Sequence, residues 1–132
     1  MKARGFAKRV NKWGQGIELG IAKATGEYAT QFYRALVNAT PVDTGFARAG
    51  WDMEVGSSTV AGPPARPEKK DRNATYARPP IPRYRFKTIR PISISNDTIY
   101  IGVLDKRVGI VNQAKGATAG LLNRLLKANA PK

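Results

Sequence analysis

Apolar residues fall at Phe6, Val10, Trp13, Ile17, Ile21, Ala24, Tyr28, Phe32 and Leu36, at gaps of three and four. That spacing lays one apolar stripe along an amphipathic helix, and no other feature constrains the fold as much. A helix is expected over 17–38, roughly 22 residues and about 33 Å long at the standard rise. Gly14, Gly16 and Gly20 interrupt the stripe, each at about 1 kcal/mol relative to alanine. They predict a break or kink near residues 13–16. Pro41 disfavours helical geometry in the residue before it, so the helix should stop at Thr40. So long a rod in a chain of 132 residues leaves room for a small partner layer only.

The remaining sequence supplies that layer. Trp51, Met53 and Val55 alternate with Asp52 and Glu54, the period-two signature of a half-buried strand. The next stretch, "VGSSTVAGPPARPEKKDRNATYARPPIPR", holds six prolines and no periodic face. It reads as an extended arm over 57–90. Ile92 and Ile94, then Ile99, Ile101 and Val103, alternate with polar or small residues around "SNDT", which predicts a β-hairpin. "LDKRVGIVNQAKGATAG" reads as a polar connection. Leu121, Leu122, Leu125 and Leu126 form a helical face with Thr118 as its expected N-cap and Pro131 beyond its end. Leu121 and Leu125 are expected in the core; Leu122 and Leu126 are open between core and subunit contact. Trp13 and Trp51 are expected in the core or in helix packing. The expected fold is α+β in one domain, 1–132. A long N-terminal helix (segment 1–39) and a C-terminal helix pack on a small, mainly antiparallel sheet. The basic Pro-rich arm occupies 57–90, and the hairpin plus C-terminal helix 91–130.

Composition narrows the chemistry. The chain has no cysteine and no histidine, and only nine carboxylates. It therefore lacks the commonest general base, the commonest metal ligands and any disulfide. No cofactor and no metal site are expected. The apolar runs are too short to span a membrane, and the N-terminus lacks the apolar stretch of a secretory signal. The net charge is +14. Between Ala61 and Arg90, nine basic residues stand against Glu68 and Asp71, a net +7 in under a quarter of the chain. Such a field attracts a polyanion, either nucleic acid or an acidic protein surface, or it serves only to keep a loop solvated.

"TPVDTGFARAGW" (40–51) contains Asp-Thr-Gly, the triplet that carries the catalytic carboxylate of aspartic proteases. Those enzymes place the aspartate at the end of a buried strand and pair it with a second one; a single-motif chain could do so only as a dimer. "IYIGVLD" has the look of the apolar strand ending in glycine that supports the protease loop. Asp43, however, follows a helix and a proline, on what should be an exposed connector. A structural role accounts for every residue of the turn. Pro41 fixes φ and ends the helix, Asp43 accepts from backbone N–H groups of an Asx turn, and Gly45 reverses the chain at positive φ.

"ALVNATPVDTGFARAGW" resembles the signature of a tailed-bacteriophage family of neck, tail-completion and minor tail (head–tail connector) proteins. Its members run a long N-terminal helix into a Thr/Ser-Pro-Val-Asp-Thr-Gly corner, with an aromatic residue at the start of the first strand. Arg48 and Trp51 occupy the matching places. "NQAKGATAG" is similar to a Gln-Ala-Pro-x-Gly segment that precedes the family's C-terminal helix, but it lacks the proline and an upstream acidic residue. The resemblance implies a virion structural protein at the head–tail interface, assembled in the host cytoplasm, and not an enzyme. It would act in tail completion or head–tail joining as a ring of copies, hexameric or dodecameric, with other neck, connector and tail proteins as partners. DNA would be met at most non-specifically in the channel, and no membrane is involved.

On this reading Pro41, Asp43, Thr44 and Gly45 form a structural corner. Arg66, Lys69, Lys70, Arg72, Arg78, Arg83, Tyr84, Arg85, Phe86, Lys87 and Arg90 are candidate contacts to a neighbouring subunit or to DNA. Aromatic and basic residues interleave through "ATYARPPIPRYRFKTIR", a pattern that can stack bases and bind phosphates. The alternatives are a basic protein that binds nucleic acid without sequence preference and, third, a dimeric aspartic protease using Asp43. Neither "GQGIELG" nor "KGATAG" has phosphate-loop spacing. Deleting 62–83 is expected to leave a folded body.

Overall fold

A computed structural model describes residues 3–42, 45–56, 58–61, 75–82 and 88–131. Its architecture is α+β: a long N-terminal helix, a three-stranded antiparallel sheet and a run of short helices ending in a C-terminal one. Helix α1 spans Ala3–Ala39 without interruption, 37 residues or about 55 Å at 1.5 Å per residue. The break expected near residues 13–16 does not occur. Gly20 instead admits the end of the chain. A Cβ there would lie 2.2 Å from the Asn129 carbonyl oxygen, and one at Gly16 would touch Pro131. Close packing at these positions offsets their poor helix propensity.

After α1 the chain turns through Pro41 into the one-turn helix α2 (Phe46–Ala49) and then β1 (Trp51–Val55). Strand β1 is central, flanked by β2 (Ser58–Ala61) and β3 (Ile92–Asn96). Its alternation is realised as the sequence predicts. Trp51, Met53 and Val55 are buried, Asp52 is half-buried and Glu54 exposed. Pairing of Met53 with Ile94 and Val55 with Ile92 puts the isoleucines on the same inner face, with Ser93 and Ser95 outside. The 57–90 stretch is thus not an arm throughout, since its first residues form β2 against β1.

The expected hairpin is replaced by helix. Thr98 N–H donates to Asn96 Oδ1 (2.9 Å) and ends β3. Helix α3 (Ile101–Val108) follows, so "IYIGVLD" is a turn and a helix, not a protease-like strand. Ile101 and Leu104, one turn apart, pack against the core; Ile99 and Val103 face outward. Short apolar runs fit either period, and packing decided between them. The expected polar connection also holds a helix, α4 (Ile110–Ala117), set off from α3 at Gly109. Asp105 Oδ1 accepts from Val111 N–H (2.9 Å), capping α4 from the preceding helix. Ile110 and Ala114 are fully buried against α1.

The C-terminal helix α5 (Leu121–Ala128) lies where expected and packs chiefly on α1. Its start is Gly120, not Thr118. Thr118 ends α4 instead, its Oγ1 donating to the Ala114 carbonyl (2.9 Å). Leu121, Leu122, Leu125 and Leu126 are all half-buried, so none of them forms the core proper. That core is Tyr33, Leu36, Val37, Met53, Val55, Ile110 and Ala114, between α1, the sheet and α4. Each fully buried large side chain there contributes about 1.5–3 kcal/mol. Trp51 belongs to it; Trp13, 61% exposed, does not.

Candidate functional site

The corner is a hydrogen-bonded joint. Thr40 Oγ1 donates to the Leu36 carbonyl (2.8 Å) and accepts from Trp51 Nε1 (2.7 Å). Further back on α1, Tyr33 Oη donates to the Trp51 carbonyl (2.9 Å). The first residue of the sheet is therefore held to α1 at both its side chain and its backbone. Each bond is buried, where losing a partner costs about 1–3 kcal/mol. Burial first, and then the Asp52 carboxylate, push the Tyr33 phenol up to about 12.

A phenol raised in the fold keeps its stabilising effect below its ordinary value near 10 and loses it as pH rises toward 12. Stability should therefore fall over that window. Tyr33→Phe should be less stable at neutral pH by about 1 kcal/mol and should lose less between pH 10 and 12. Denaturant titrations of both proteins across that range check it. Equal slopes would show that Tyr33 does not govern the alkaline limb.

Pro41 and Val42 are exposed. Asp43 and Thr44 lie outside the described residues. Gly45 has φ +87°, and a Cβ there would lie 2.4 Å from the Tyr76 carbonyl oxygen. The glycine of Asp-Thr-Gly is thus required twice, by the left-handed backbone and by the chain that crosses it. Arg48 on α2 is half-buried beside it, with Nε buried and lacking a hydrogen-bond partner among the described residues.

The crossing chain is residues 75–82. Tyr76 sets its ring edge-on against Phe46, centroids 5.0 Å apart. Arg78 donates to Asn38 Oδ1 on α1, Pro79 is fully buried and Ile81 packs against the core. The protein's own body accepts these residues. Deletion of 62–83 would therefore strip part of the core, contrary to the sequence expectation. Removing 75–82 should lower stability by about 2–4 kcal/mol, the cost of vacating buried apolar sites. Calorimetry of the deletion checks this, and an unchanged thermal midpoint would contradict it.

Of the basic candidates, Arg78 is thus tied to α1 and Arg90 is exposed. Arg66, Lys69, Lys70, Arg72, Arg83, Tyr84, Arg85, Phe86 and Lys87 lie outside the described residues. Two surfaces escaped sequence reasoning. One is the N-terminal part of α1, where Val10 and Trp13 are exposed beside Lys8, Arg9 and Lys12. The other joins the outer face of the sheet to the turn after β3. Burial, then Glu54 and then Asp97, raise the Asp52 carboxyl there, so three acids share one patch beside exposed Ile99. The sequence signal was present in "NDTIYIGV", but its alternation also fitted a strand. Among the described residues no cluster of His, Cys, Asp or Glu could hold a metal ion. No described helix is long and apolar enough to cross a membrane. Comparison with protein-family models, curated proteins and solved structures gives no significant match.

Proposed function

We propose that this chain is a structural protein of a tailed-phage virion, working at the head–tail neck in tail completion or head–tail joining as a ring of copies. Its chemistry is assembly, without turnover. One observation carries the reading: a long helix ends before Pro41, and from Gly45 the chain runs through α2 into a strand whose leading Trp51 is bonded back to that helix. A joint of this kind fixes the angle between a rod and a sheet, as a repeated ring subunit requires. The basic stretch 62–74 adds to it. It lies between two stretches fastened to the body, β2 and 75–82, and holds Arg66, Lys69, Lys70 and Arg72. Its charge suits contact with an acidic surface on a neighbouring subunit or ring.

Depleting the protein from cells that produce the particles tests the reading. Filled heads and finished tails should accumulate unjoined, and purified protein added to such an extract should restore complete particles. Complete, infectious particles made without the chain would overturn it. Under this reading DNA binding is weak, indifferent to sequence and lost steeply with salt, as counterion release requires. Tight binding that survives moderate salt would favour the basic nucleic-acid-binding alternative.

A further inference from the structure

The two surfaces that escaped sequence reasoning complement each other in shape class and in charge. The first is a socket. Helix α1 runs on past the end of α5, and Trp13 and Ile17 line a shallow hollow with Leu126 and Pro131. Trp13 is 61% exposed and Val10 47%. Arg9 and Lys12, both exposed, flank Trp13 on the N-terminal part of α1, and no acidic residue precedes Glu18 in the chain. The second is a knob. Ile99 in the turn before α3 is 90% exposed and Val103 in the first turn of α3 is 56% exposed. Asp97 precedes them, with Asp52 and Glu54 alongside on β1. A chain of net charge +14 has nine acids in all; Asp97, Asp52 and Glu54 give the sheet side of the knob its negative charge, while Lys106 and Arg107 stand at the far end of α3.

One chain cannot join these surfaces to each other. The knob sits by the Trp51 end of the sheet, since Asn96 pairs with Trp51, and Trp51 is held by Tyr33. Tyr33 and Trp13 are twenty residues apart on one unbroken helix, about 30 Å. A two-fold contact through the socket would set Arg9 and Lys12 against their own copies, and one through the knob would set acid against acid. Both arrangements are repulsive.

We infer that the acidic knob around Ile99 and Val103 docks into the basic socket around Trp13 of a second copy, head to tail. Such a heterologous contact repeats from copy to copy and closes into a ring when its rotation permits. The inference rests on the ring assembly proposed above and names the surfaces that build it. Burial of Trp13 and Ile99 supplies the apolar core of the contact, and the opposed charges set its direction.

Mixing tests it with the full chain. Trp13→Glu spoils the socket and leaves the knob; Ile99→Glu spoils the knob and leaves the socket. Sedimentation of the wild-type protein should give an oligomer, and each variant alone the mass of one chain. An equimolar mixture of the two variants should give twice that mass, because one good knob meets one good socket. Both positions are exposed, so melting curves should match the wild type; Lys12→Glu and Val103→Glu serve as second variants if either does not. Variants that keep the wild-type mass would overturn the docking while leaving a ring built on other surfaces. Variants that fall to single chains but do not pair on mixing would overturn it too. A wild-type protein that stays a single chain at all concentrations would remove the ring and the docking together.

Discussion

Gly45→Ala is expected to destabilise the protein by about 2–5 kcal/mol, the sum of a left-handed backbone penalty and a steric one. At φ +87° alanine already costs about 1–2 kcal/mol. Its Cβ would also lie 2.4 Å from the Tyr76 carbonyl oxygen, closer than non-bonded atoms approach. The chain at 75–82 would have to lift away, taking Pro79 and Ile81 with it. Gly56→Ala is the internal control. Gly56 has φ +63°, but a Cβ there would meet nothing within 4 Å, so only the backbone penalty applies. Chemical denaturation of the two variants separates the terms. If both lose the same stability, 75–82 does not cross the corner as described.

Trp51→Ala should cost about 3–5 kcal/mol, the usual toll for emptying a buried tryptophan site. The side chain is 6% exposed, and its indole N–H is bonded to Thr40 Oγ1. The bond from Tyr33 goes to the backbone of residue 51, so it survives the substitution and holds the strand start in place. Trp51→Phe should therefore recover most of the loss, leaving a deficit of about 1 kcal/mol for the missing hydrogen bond. Denaturant midpoints for the three proteins check the order. A phenylalanine variant as damaged as the alanine one would mean that the indole bond, and not the packing, dominates the joint.

These two positions also show which parts of the fold were legible in the sequence. Proline before a turn and glycine within it have local causes, so the end of the helix at Pro41 and the positive φ of Gly45 could be read from single letters, while Asp43 and Thr44 lie outside the described residues. The strand at 51–55 alternated cleanly because one of its faces is buried and the other wet. Residues 13–16 misled because glycine's cost to a helix is local, while the benefit of Gly16, and of Gly20 beyond it, is room for Pro131 and Asn129, over a hundred positions away. Ile99, Ile101 and Val103 misled because five residues of alternation fit both a strand and the edge of a helix. The packing of Ile101 and Leu104, one helical turn apart, against the core settled the matter. Trp13 misled for a third reason. Its stripe is apolar along its whole length, but α5 covers only part of it, so the sequence cannot say where cover ends. Those exposed ends are also where the candidate assembly surfaces lie.

Everything proposed for this chain turns on whether its copies form a ring at the head–tail junction. Electron cryomicroscopy of particles purified from cells that make the chain can see such a ring outright. A closed ring of this fold is expected around the DNA channel between head and tail, with each α1 set at the same angle to its sheet. Particles that contain no copy of the chain, or that carry it as single molecules away from the channel, would contradict the ring and the function built on it.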